Sequence, residues 1–239
     1  MNNPLILHIE TATKYCSVAL SDGETLISLR ESDEERSHAR SLTRFIRECF
    51  RESGKKMSDL DAINVSKGPG SYTGLRIGVS TTKGIAYARN IPVIATGTLQ
   101  VMVSAAVDNQ EFINQSVSSD QDILFCPMID ARRMEVFTGL FNPDGTIYRD
   151  ISAEIIEEDS FSGILDSKRI YFFGDGSDKC RGILKHENAI FLPDVHPSAR
   201  YMIGLALEAF RNSRFEDVAY FEPYYLKEFI ATIPRKKVL

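Results

Sequence analysis

The first third of the chain consists of short apolar runs followed by one amphipathic stretch. Residues 5–10 (LILHIE) are a bulky apolar run, and residues 15–31 (YCSVALSDGETLISLRE) alternate on both sides of an Asp-Gly turn. Alternation around such a turn is typical of a β-hairpin. Between residues 34 and 53, apolar side chains recur every three or four positions, and Gly54 follows. This spacing predicts an amphipathic helix that ends at the glycine.

Predicted strands and helices then alternate up to residue 107. Residues 61–66 (DAINVS) and 92–96 (PVIAT) are typical of buried strands, whereas residues 74–89 and 98–107 (TLQVMVSAAV) are typical of helices. The predicted order of the first half is therefore βββαβαβα.

A stretch without apolar periodicity, residues 108–122 (DNQEFINQSVSSDQD), precedes a second half that repeats this order. Residues 123–148 again predict strand, tight turn, strand, Asp-Gly turn and strand. Residues 169–179 (RIYFFGDGSDK) again run from a strand into a Gly-x-Gly loop, as residues 62–71 do. Chance agreement among common turn residues is one explanation, but the shared order favours a duplicated unit.

The repeat predicts two lobes. We expect an N-terminal lobe over residues 1–108, a linker over residues 109–122, and a C-terminal lobe over residues 123–239 in which βββ-α-β-α is followed by a helix and a tail. A duplicated βββαβα unit resembles the architecture of actin, Hsp70 and the sugar kinases, in which two such halves face each other across a cleft. The predicted fold class is α/β, a duplicated actin/Hsp70-like (ASKHA, ribonuclease H-like) two-lobed fold.

Composition narrows the possible functions. The chain has 239 residues, 43% of them hydrophobic, and a net charge of −5, so it can bury a core but lacks a broad positive surface for nucleic acid. Its four cysteines lie far apart, which is typical of reduced thiols in the cytoplasm. Without a leader pattern or an apolar run of membrane-spanning length, we expect a cytoplasmic protein that has no membrane partner.

A glycine-rich segment, residues 66–78 (SKGPGSYTGLRIG), leads into the helix predicted at 74–89. A nucleotide-binding P-loop needs a lysine and a hydroxyl residue directly after its last glycine, but here Leu75 and Arg76 follow. A hydrolase elbow needs Gly-x-Ser-x-Gly, which the segment lacks. What remains is a helix start that offers a weak anion site at the N–H groups of Ser71, Thr73 and Gly74.

The helix after this loop carries small residues on one face. Gly74 and Gly78 lie four residues apart, and further small residues follow up to Ala86. Glycine inside a helix costs about 0.5–1 kcal/mol relative to alanine, so a close approach of another element must compensate for it. That element can belong to the same chain or to another subunit, and the sequence leaves both open.

Six motifs in a fixed order resemble one protein family. They are IETATKYCSVAL, SHARSL, GPGSYTGLRIG, MIDARRMEVF, FFGDGS and EPYYLKEF. The third motif is specific, and the order and spacing of the others agree with the family. On these motifs the chain resembles the bacterial TsaB (YeaZ) proteins from its first strand nearly to its C-terminus.

This resemblance implies a two-lobed fold without a working phosphotransfer site. TsaB proteins bind and activate TsaD, the related subunit that transfers a threonylcarbamoyl group to an adenosine of tRNA, and the ATPase TsaE joins the pair. The chain is therefore expected to be a non-catalytic subunit required for tRNA N6-threonylcarbamoyladenosine modification. The resemblance implies no catalytic residue, metal or cofactor in this chain, a nucleotide only at the junction with TsaD, tRNA contact only through the complex, and a homodimer when the chain is alone.

The family also supplies candidate residues for these contacts. Its N-terminal lobe packs two helices against the equivalent helices of TsaD. On the matching motifs, the partner-binding residues are predicted to be His38, Ser41, Leu42, Phe45, Leu75, Arg76, Val79 and Lys83. The candidates for a nucleotide contact at the junction are Ser71, Thr73 and Gly74.

Two other functions stay open. One is an autonomous enzyme, either a small-molecule kinase of the same superfamily or a metallopeptidase. It is opposed by the missing phosphate-loop residues and by residues 98–107, which lack the His-x-x-x-His pair that holds the metal of TsaD. Glu10 also stands where the family usually has aspartate. The other is a homodimeric scaffold with an unrelated partner.

Two further positions have competing interpretations. Asp130 can act as a general base or can cap a tight turn, and the turn is the simpler explanation. The basic residues 235–237 can contact tRNA phosphate in the complex or form a solvated tail, and the tail is the simpler explanation.

Overall fold

The structure is a computed structural model that describes residues 3–33, 38–109 and 122–227, with only the backbone of His38. Three predictions fall wholly or partly outside these residues. They are the start of the first helix at residues 34–37, nearly all of the predicted linker, and the basic tail at residues 235–237.

The N-terminal half forms a five-stranded mixed sheet. Its strands are β1 (Leu5–Glu10), β2 (Cys16–Asp22), β3 (Thr25–Ser32), β4 (Ala62–Gly68) and β5 (Val93–Gly97). In space the order is β3-β2-β1-β4-β5, with β2 antiparallel to both of its neighbours and β4 parallel to both of its neighbours. The strand, hairpin and two later strands that the hydrophobic pattern predicts are confirmed.

Two helices, α1 (His38–Ser53) and α2 (Tyr72–Arg89), cover one face of this sheet. Side chains alternate between the two faces of a strand, so every second residue of β1 and β4 meets the helices. The resulting core includes Leu7, Ile9, Ile63 and Val65 from the sheet and Leu42, Phe45 and Val79 from the helices. Apolar burial therefore fixes both helices on the sheet.

The C-terminal half repeats the same topology. Its strands are β6 (Ile123–Asp130), β7 (Glu135–Phe141), β8 (Ile147–Ile155), β9 (Arg169–Phe173) and β10 (Ala189–Phe191). In space the order is β8-β7-β6-β9-β10, with β6 antiparallel to β7 and parallel to β9. Because β6 takes the place of β1, the predicted duplication and the α/β fold class are confirmed.

The other α-helices in the described residues are α3 (Thr98–Val107) after β5, α4 (Ser162–Leu165) before β9 and α5 (Ile203–Arg211) after β10. Where the first half has the long α2 between its parallel strands, the second half has a single 3-10 turn, Asp178–Cys180. Gly182 follows this turn and interrupts helical periodicity, so the second lobe lacks an equivalent of α2 between β9 and β10. Among the described residues, no helix is long and apolar enough to cross a membrane.

A helix from each half packs on the sheet of the other half. α3 lies between the two sheets: it meets Phe125, Phe141 and Tyr171 of the second sheet, and its Val101 packs with Ala19 of the first. α5 packs on the first sheet, where Ala206 and Ala209 join the core of β1 and β5. Each lobe therefore needs a helix from the other half of the sequence to cover its sheet. The predicted boundaries at residues 108 and 122 stay a prediction.

Candidate interaction surface and inter-lobe cleft

α2 begins at the predicted glycine loop. Ser71 caps the helix, because its Oγ accepts a hydrogen bond from the Gly74 N–H (3.3 Å). The Ser71 N–H in turn donates to the Ala12 carbonyl (2.6 Å). Of the three residues predicted to offer N–H groups to an anion, Ser71 and Gly74 thus use theirs within the chain.

The small face of α2 is packed by the chain itself. A Cβ on Gly74 would lie 2.1 Å from the Thr11 carbonyl oxygen, and one on Gly78 would lie 2.4 Å from Thr11 Oγ1. Thr11 Oγ1 also donates to the Gly74 carbonyl (2.8 Å). A Cβ on Gly84 would meet no described atom within 4 Å beyond its own turn of helix. Packing within the chain therefore explains Gly74 and Gly78, whereas Gly84 faces open space.

The predicted partner-binding residues fall into two groups. Five are buried in the isolated chain: Ser41, Leu42, Phe45, Leu75 and Val79. Arg76 is exposed and Lys83 is half-buried, while the side chain of His38 lies outside the described part of the structure. The buried five hold α1 and α2 on the sheet. Their contact with a partner stays a prediction.

The outward face of α1 is strongly basic. Four exposed arginines recur at helical spacing: Arg40, Arg44, Arg47 and Arg51. The two glutamates of this helix, Glu48 and Glu52, both pair with Arg30 of β3. Glu48 also pairs with Arg44, but with four arginines and only two glutamates, which Arg30 engages as well, the face carries a net positive charge. The sequence itself shows the spacing of these arginines, but apolar periodicity, which predicts the helix, does not reveal its charged face.

The outward face of α2 carries an exposed aromatic ring and two cations. Tyr87 is 86% exposed, although large aromatic side chains are usually buried. Arg76 Nη1 donates to the Tyr72 hydroxyl (3.1 Å), and its guanidinium lies over the Tyr72 ring. Lys83 donates to the Ala219 carbonyl (3.3 Å). Together with the α1 arginines, this face offers charge and aromatic surface to another molecule.

A cleft of about 1210 Å³ separates the two lobes. One wall is the start of α2 with the loop after β1, and it includes the nucleotide candidates Ser71, Thr73 and Gly74. The other wall is the turn between β6 and β7. Residues 224–227 extend from lobe to lobe: the Tyr224 N–H donates to the Lys67 carbonyl (2.7 Å), and Lys227 pairs with Glu135 of β7.

The carboxyl group that ends β1 is sealed inside the protein. Glu10 Oε1 accepts hydrogen bonds from the Ala12 N–H (2.6 Å) and the Ser66 hydroxyl (2.9 Å). Glu10 Oε2 is buried without a hydrogen-bond partner among the described residues. Burial raises the pKa of Glu10 to about 7. The side chain therefore fastens the loop after β1 and is not exposed to a ligand.

The equivalent carboxylate of the second lobe is engaged as well. Asp130, at the end of β6, forms an ion pair with Lys179, and its Oδ1 accepts from the Arg132 N–H (3.1 Å). The turn-capping interpretation of Asp130 is therefore confirmed. Asp175 accepts from the Asp130 N–H (3.0 Å), and burial raises the pKa of Asp175. These contacts fix the turn between β6 and β7.

His8 has a structural environment. The ring is fully buried and hydrogen-bonds through Nε2 to the Ser21 hydroxyl (2.9 Å) and through Nδ1 to the Asn64 amide (3.3 Å). Burial lowers the pKa of His8 to about 3, so the ring is neutral. Within the described ranges, no three side chains of metal-binding type come together.

Comparison with known proteins agrees with this fold. The family model for TsaD, tRNA N6-adenosine threonylcarbamoyltransferase, matches residues 32–234. The tRNA threonylcarbamoyladenosine biosynthesis protein TsaB of Haemophilus influenzae is 25% identical over 95% of this chain and 95% of its own length. The protein of the same name from Escherichia coli is 26% identical over 95% of this chain and 96% of its own.

Among solved structures, a Pseudomonas aeruginosa protein described as similar to peptidase YEAZ has the same fold. It matches with a TM-score of 0.80 at 24% identity, over 94% of this chain and 100% of that chain. The family model covers most of the sequence, and the full-length relatives carry the name that the sequence motifs indicate. This chain belongs to the TsaD (tRNA N6-adenosine threonylcarbamoyltransferase) family, as a member of its TsaB (YeaZ) branch.

Proposed function

We propose that this chain is the non-catalytic subunit that binds and activates a TsaD homologue in tRNA N6-threonylcarbamoyladenosine modification. The observation that carries this proposal is the similarity, over nearly the whole chain, to two proteins named for threonylcarbamoyladenosine biosynthesis. The role in tRNA modification follows from that similarity. The division of labour between this chain and TsaD is supported by the state of its own carboxylates and by its helix surface.

The two carboxylates at equivalent strand ends are poorly suited to catalysis. A general base must reach the proton that it abstracts. Glu10 is fully buried and its Oε1 is held by the Ala12 N–H and the Ser66 hydroxyl, so a substrate cannot reach it. Asp130 is held by Lys179 and by the turn that it caps. We therefore assign no catalytic role to either carboxylate.

The outward faces of α1 and α2 are the proposed docking surface. Arg40, Arg47 and Arg51 of α1 and the exposed Tyr87 of α2 are available there, and Arg and Tyr are enriched in interface hot spots. The basic charge favours an acidic face on the TsaD homologue. In this proposal a homodimer uses the same surface when TsaD is absent. The TsaE homologue joins the assembled pair in the cytoplasm.

A nucleotide, if the complex holds one, is proposed to lie at the junction with TsaD. Ser71, Thr73 and Gly74 line the cleft beside the start of α2, so they are the residues of this chain that can reach it. tRNA is proposed to bind to the assembled complex rather than to the chain alone, in keeping with the net charge of −5.

The cleft favours a second candidate function, an autonomous enzyme of the same superfamily. A cavity of about 1210 Å³ is large enough for a substrate. Turnover by the isolated chain distinguishes this candidate from a subunit. A kinase would consume ATP without TsaD, whereas a subunit would leave ATP unchanged until the partner proteins are present.

The docking surface is tested by co-elution with the organism's TsaD homologue. Tyr87→Glu and Arg47→Glu place negative charge on exposed positions of α2 and α1, and both should abolish co-elution and product formation. The matched control is Tyr148→Glu, which changes a 48% exposed tyrosine of β8 in the other lobe. Val79→Arg is unsuitable because Val79 is only 5% exposed. Normal co-elution of both helix variants would contradict the proposed surface.

A further inference from the structure

Three cations line the inter-lobe cleft from opposite sides. Lys14 belongs to the loop after β1, and Arg132 and Arg133 form the turn between β6 and β7. Among the described residues, Arg132 and Arg133 form no ion pair with a carboxylate, whereas Lys14 interacts electrostatically with Asp175. Within this part of the structure, the charge of the two arginines is therefore not neutralised.

The acidic residues of the cleft are already engaged. Asp130 pairs with Lys179, and Glu135 pairs with Lys227. Asp175 accepts a hydrogen bond from the Asp130 N–H. Asp130 and Glu135 are thus paired with lysines and Asp175 interacts with Lys14, so the charge left for an incoming molecule is that of Arg132 and Arg133. A ligand that neutralises it must be an anion.

The arginine turn adopts a conformation that does not suit arginine. Arg132 has φ 73° and Arg133 has φ 52°, both in the left-handed region. Glycine and asparagine adopt this region more readily, and Asn-Gly is the preferred pair where two successive residues need positive φ. The backbone therefore gives no reason for arginine at either position. The side chains supply that reason, because they line the cleft.

Aromatic rings lie beside these cations. Tyr72 and Tyr225 line the cleft with their ring centroids 4.9 Å apart, and Arg76 lies over the Tyr72 ring. Tyr225 is 38% exposed and Tyr224, next to it, is 44% exposed. Cations that track a phosphate backbone, combined with exposed rings on which bases stack, are the means by which proteins bind single-stranded nucleic acid.

The size of the cleft also favours a polymer. Small-molecule sites usually enclose about 300–1,000 Å³. This cleft measures about 1210 Å³ and is open between the two lobes. Several nucleotides of a strand fit such a volume better than one mononucleotide does.

We infer that the cleft binds a single-stranded segment of the tRNA, with Lys14, Arg132 and Arg133 on the phosphates and with Tyr72 and Tyr225 against the bases. This inference rests on the proposed function and adds a tRNA contact made by this chain within the complex. The net charge of −5 opposes binding by the chain alone. The field of the three cations reaches only about 8 Å at physiological salt, so the assembled complex must bring the strand to the cleft.

The test is a titration of labelled, unmodified tRNA with the complex of this chain and its TsaD homologue, at several salt concentrations between about 50 and 200 mM. In Arg132→Asn/Arg133→Gly the turn receives the residues that its backbone prefers, so the variant should be at least as heat-stable as the wild type. We expect about tenfold weaker tRNA binding. The slope of log K against log salt should fall by about 1.4, which is about 0.7 for each lost phosphate contact.

Two further variants separate the contributions. Arg211→Ser/Arg214→Ser removes the same charge from exposed positions at the end of α5, outside the cleft, and should leave the affinity and the slope unchanged. Tyr225→Ala removes a stacking surface, so the affinity should fall about tenfold while the salt slope stays the same.

Each outcome bears on a different proposal. If the Arg132→Asn/Arg133→Gly variant still forms the complex with TsaD, and its tRNA affinity and salt slope are unchanged, the tRNA contact is overturned and the proposed function stands. If ATP displaces the tRNA completely and this displacement depends on Arg132 and Arg133, the cleft binds a nucleotide and the tRNA contact is overturned as well. If the wild-type chain does not bind TsaD, the proposed function fails. The tRNA contact, which needs the assembled complex, is then overturned together with the proposed function.

Discussion

Alanine substitutions at three glycines of α2 separate two effects on stability: the packing of the helix against its neighbours and the intrinsic helix propensity of the residue. Gly74→Ala places a methyl group 2.1 Å from the Thr11 carbonyl oxygen, and Gly78→Ala places one 2.4 Å from Thr11 Oγ1. Gly84→Ala meets no described atom within 4 Å beyond its own turn of helix. The chemical change is the same in all three variants. A difference in stability therefore reports the contact with Thr11.

The expected magnitudes have opposite signs. Alanine is favoured over glycine inside a helix by about 0.5–1 kcal/mol, so Gly84→Ala should stabilise the protein by this amount. In a chain of this length, about 1 kcal/mol corresponds to a rise in Tm of about 2–4 °C. At Gly74 the obstacle is a backbone carbonyl, and overpacking costs about 1–3 kcal/mol, which outweighs the gain. Gly74→Ala should therefore lower Tm.

Urea and thermal unfolding, followed by circular dichroism, measure these differences. Thr11→Ala provides a second check, because it removes the Oγ1 that obstructs Gly78 but keeps the carbonyl that obstructs Gly74. It should therefore reduce the cost of Gly78→Ala and leave the cost of Gly74→Ala unchanged. Equal stability of Gly74→Ala and Gly84→Ala, or equal rescue of both obstructed variants, would refute the packing explanation.

The unfolding free energy should depend on pH, and the rate of association with the TsaD homologue should depend on salt. Burial raises the pKa of Glu10 from 4.5 to about 7, so its charged form is disfavoured in the folded state. The unfolding free energy should fall by about 3 kcal/mol as pH rises between those values and then level off. Glu10→Gln should lack this change in urea unfolding. Identical pH profiles of the wild type and this variant would exclude Glu10 as its cause. Because the α1 face is basic, association with the TsaD homologue should slow with salt in surface plasmon resonance, and a salt-independent rate would contradict an electrostatic contribution.

Hydrophobic periodicity was enough to predict most of the first lobe. β1 and α3 follow the apolar runs of the sequence because they are buried over nearly their whole length, and α1 follows the apolar stripe because it buries one face. α2 begins at Tyr72, two residues before the predicted start, because the Ser71 cap moves the first turn forward. The repeat of turns and Gly-x-Gly loops was enough to predict the second sheet.

The exchange of helices between the lobes was not predictable from periodicity. An apolar stripe shows that a helix face is buried but not which sheet buries it. α3 and α5 therefore looked like parts of the lobes in which their sequences lie. For the same reason the stripe of Leu75 and Val79 did not distinguish a core contact from a subunit contact, and both side chains are buried in the core.

The cleft depends on contacts between residues that are distant in sequence. Lys14, Arg132 and Tyr225 come together only through the pairing of the two lobes and the return of residues 224–227. A sequence motif shows none of this proximity. The Asp-Ala-Arg-Arg segment gave one local signal, since a tight turn with two arginines in place of glycine or asparagine is unusual.

The most direct measurement is threonylcarbamoyladenosine formation on tRNA by the organism's TsaD and TsaE proteins and the enzyme that makes the threonylcarbamoyl donor, with increasing amounts of this chain. If the chain is an activating subunit, product should be absent without it, should rise with its concentration and should saturate once TsaD is fully bound. The chain without TsaD should form none. Equal product without this chain, or ATP turnover by this chain alone, would contradict the assignment as a non-catalytic partner of TsaD.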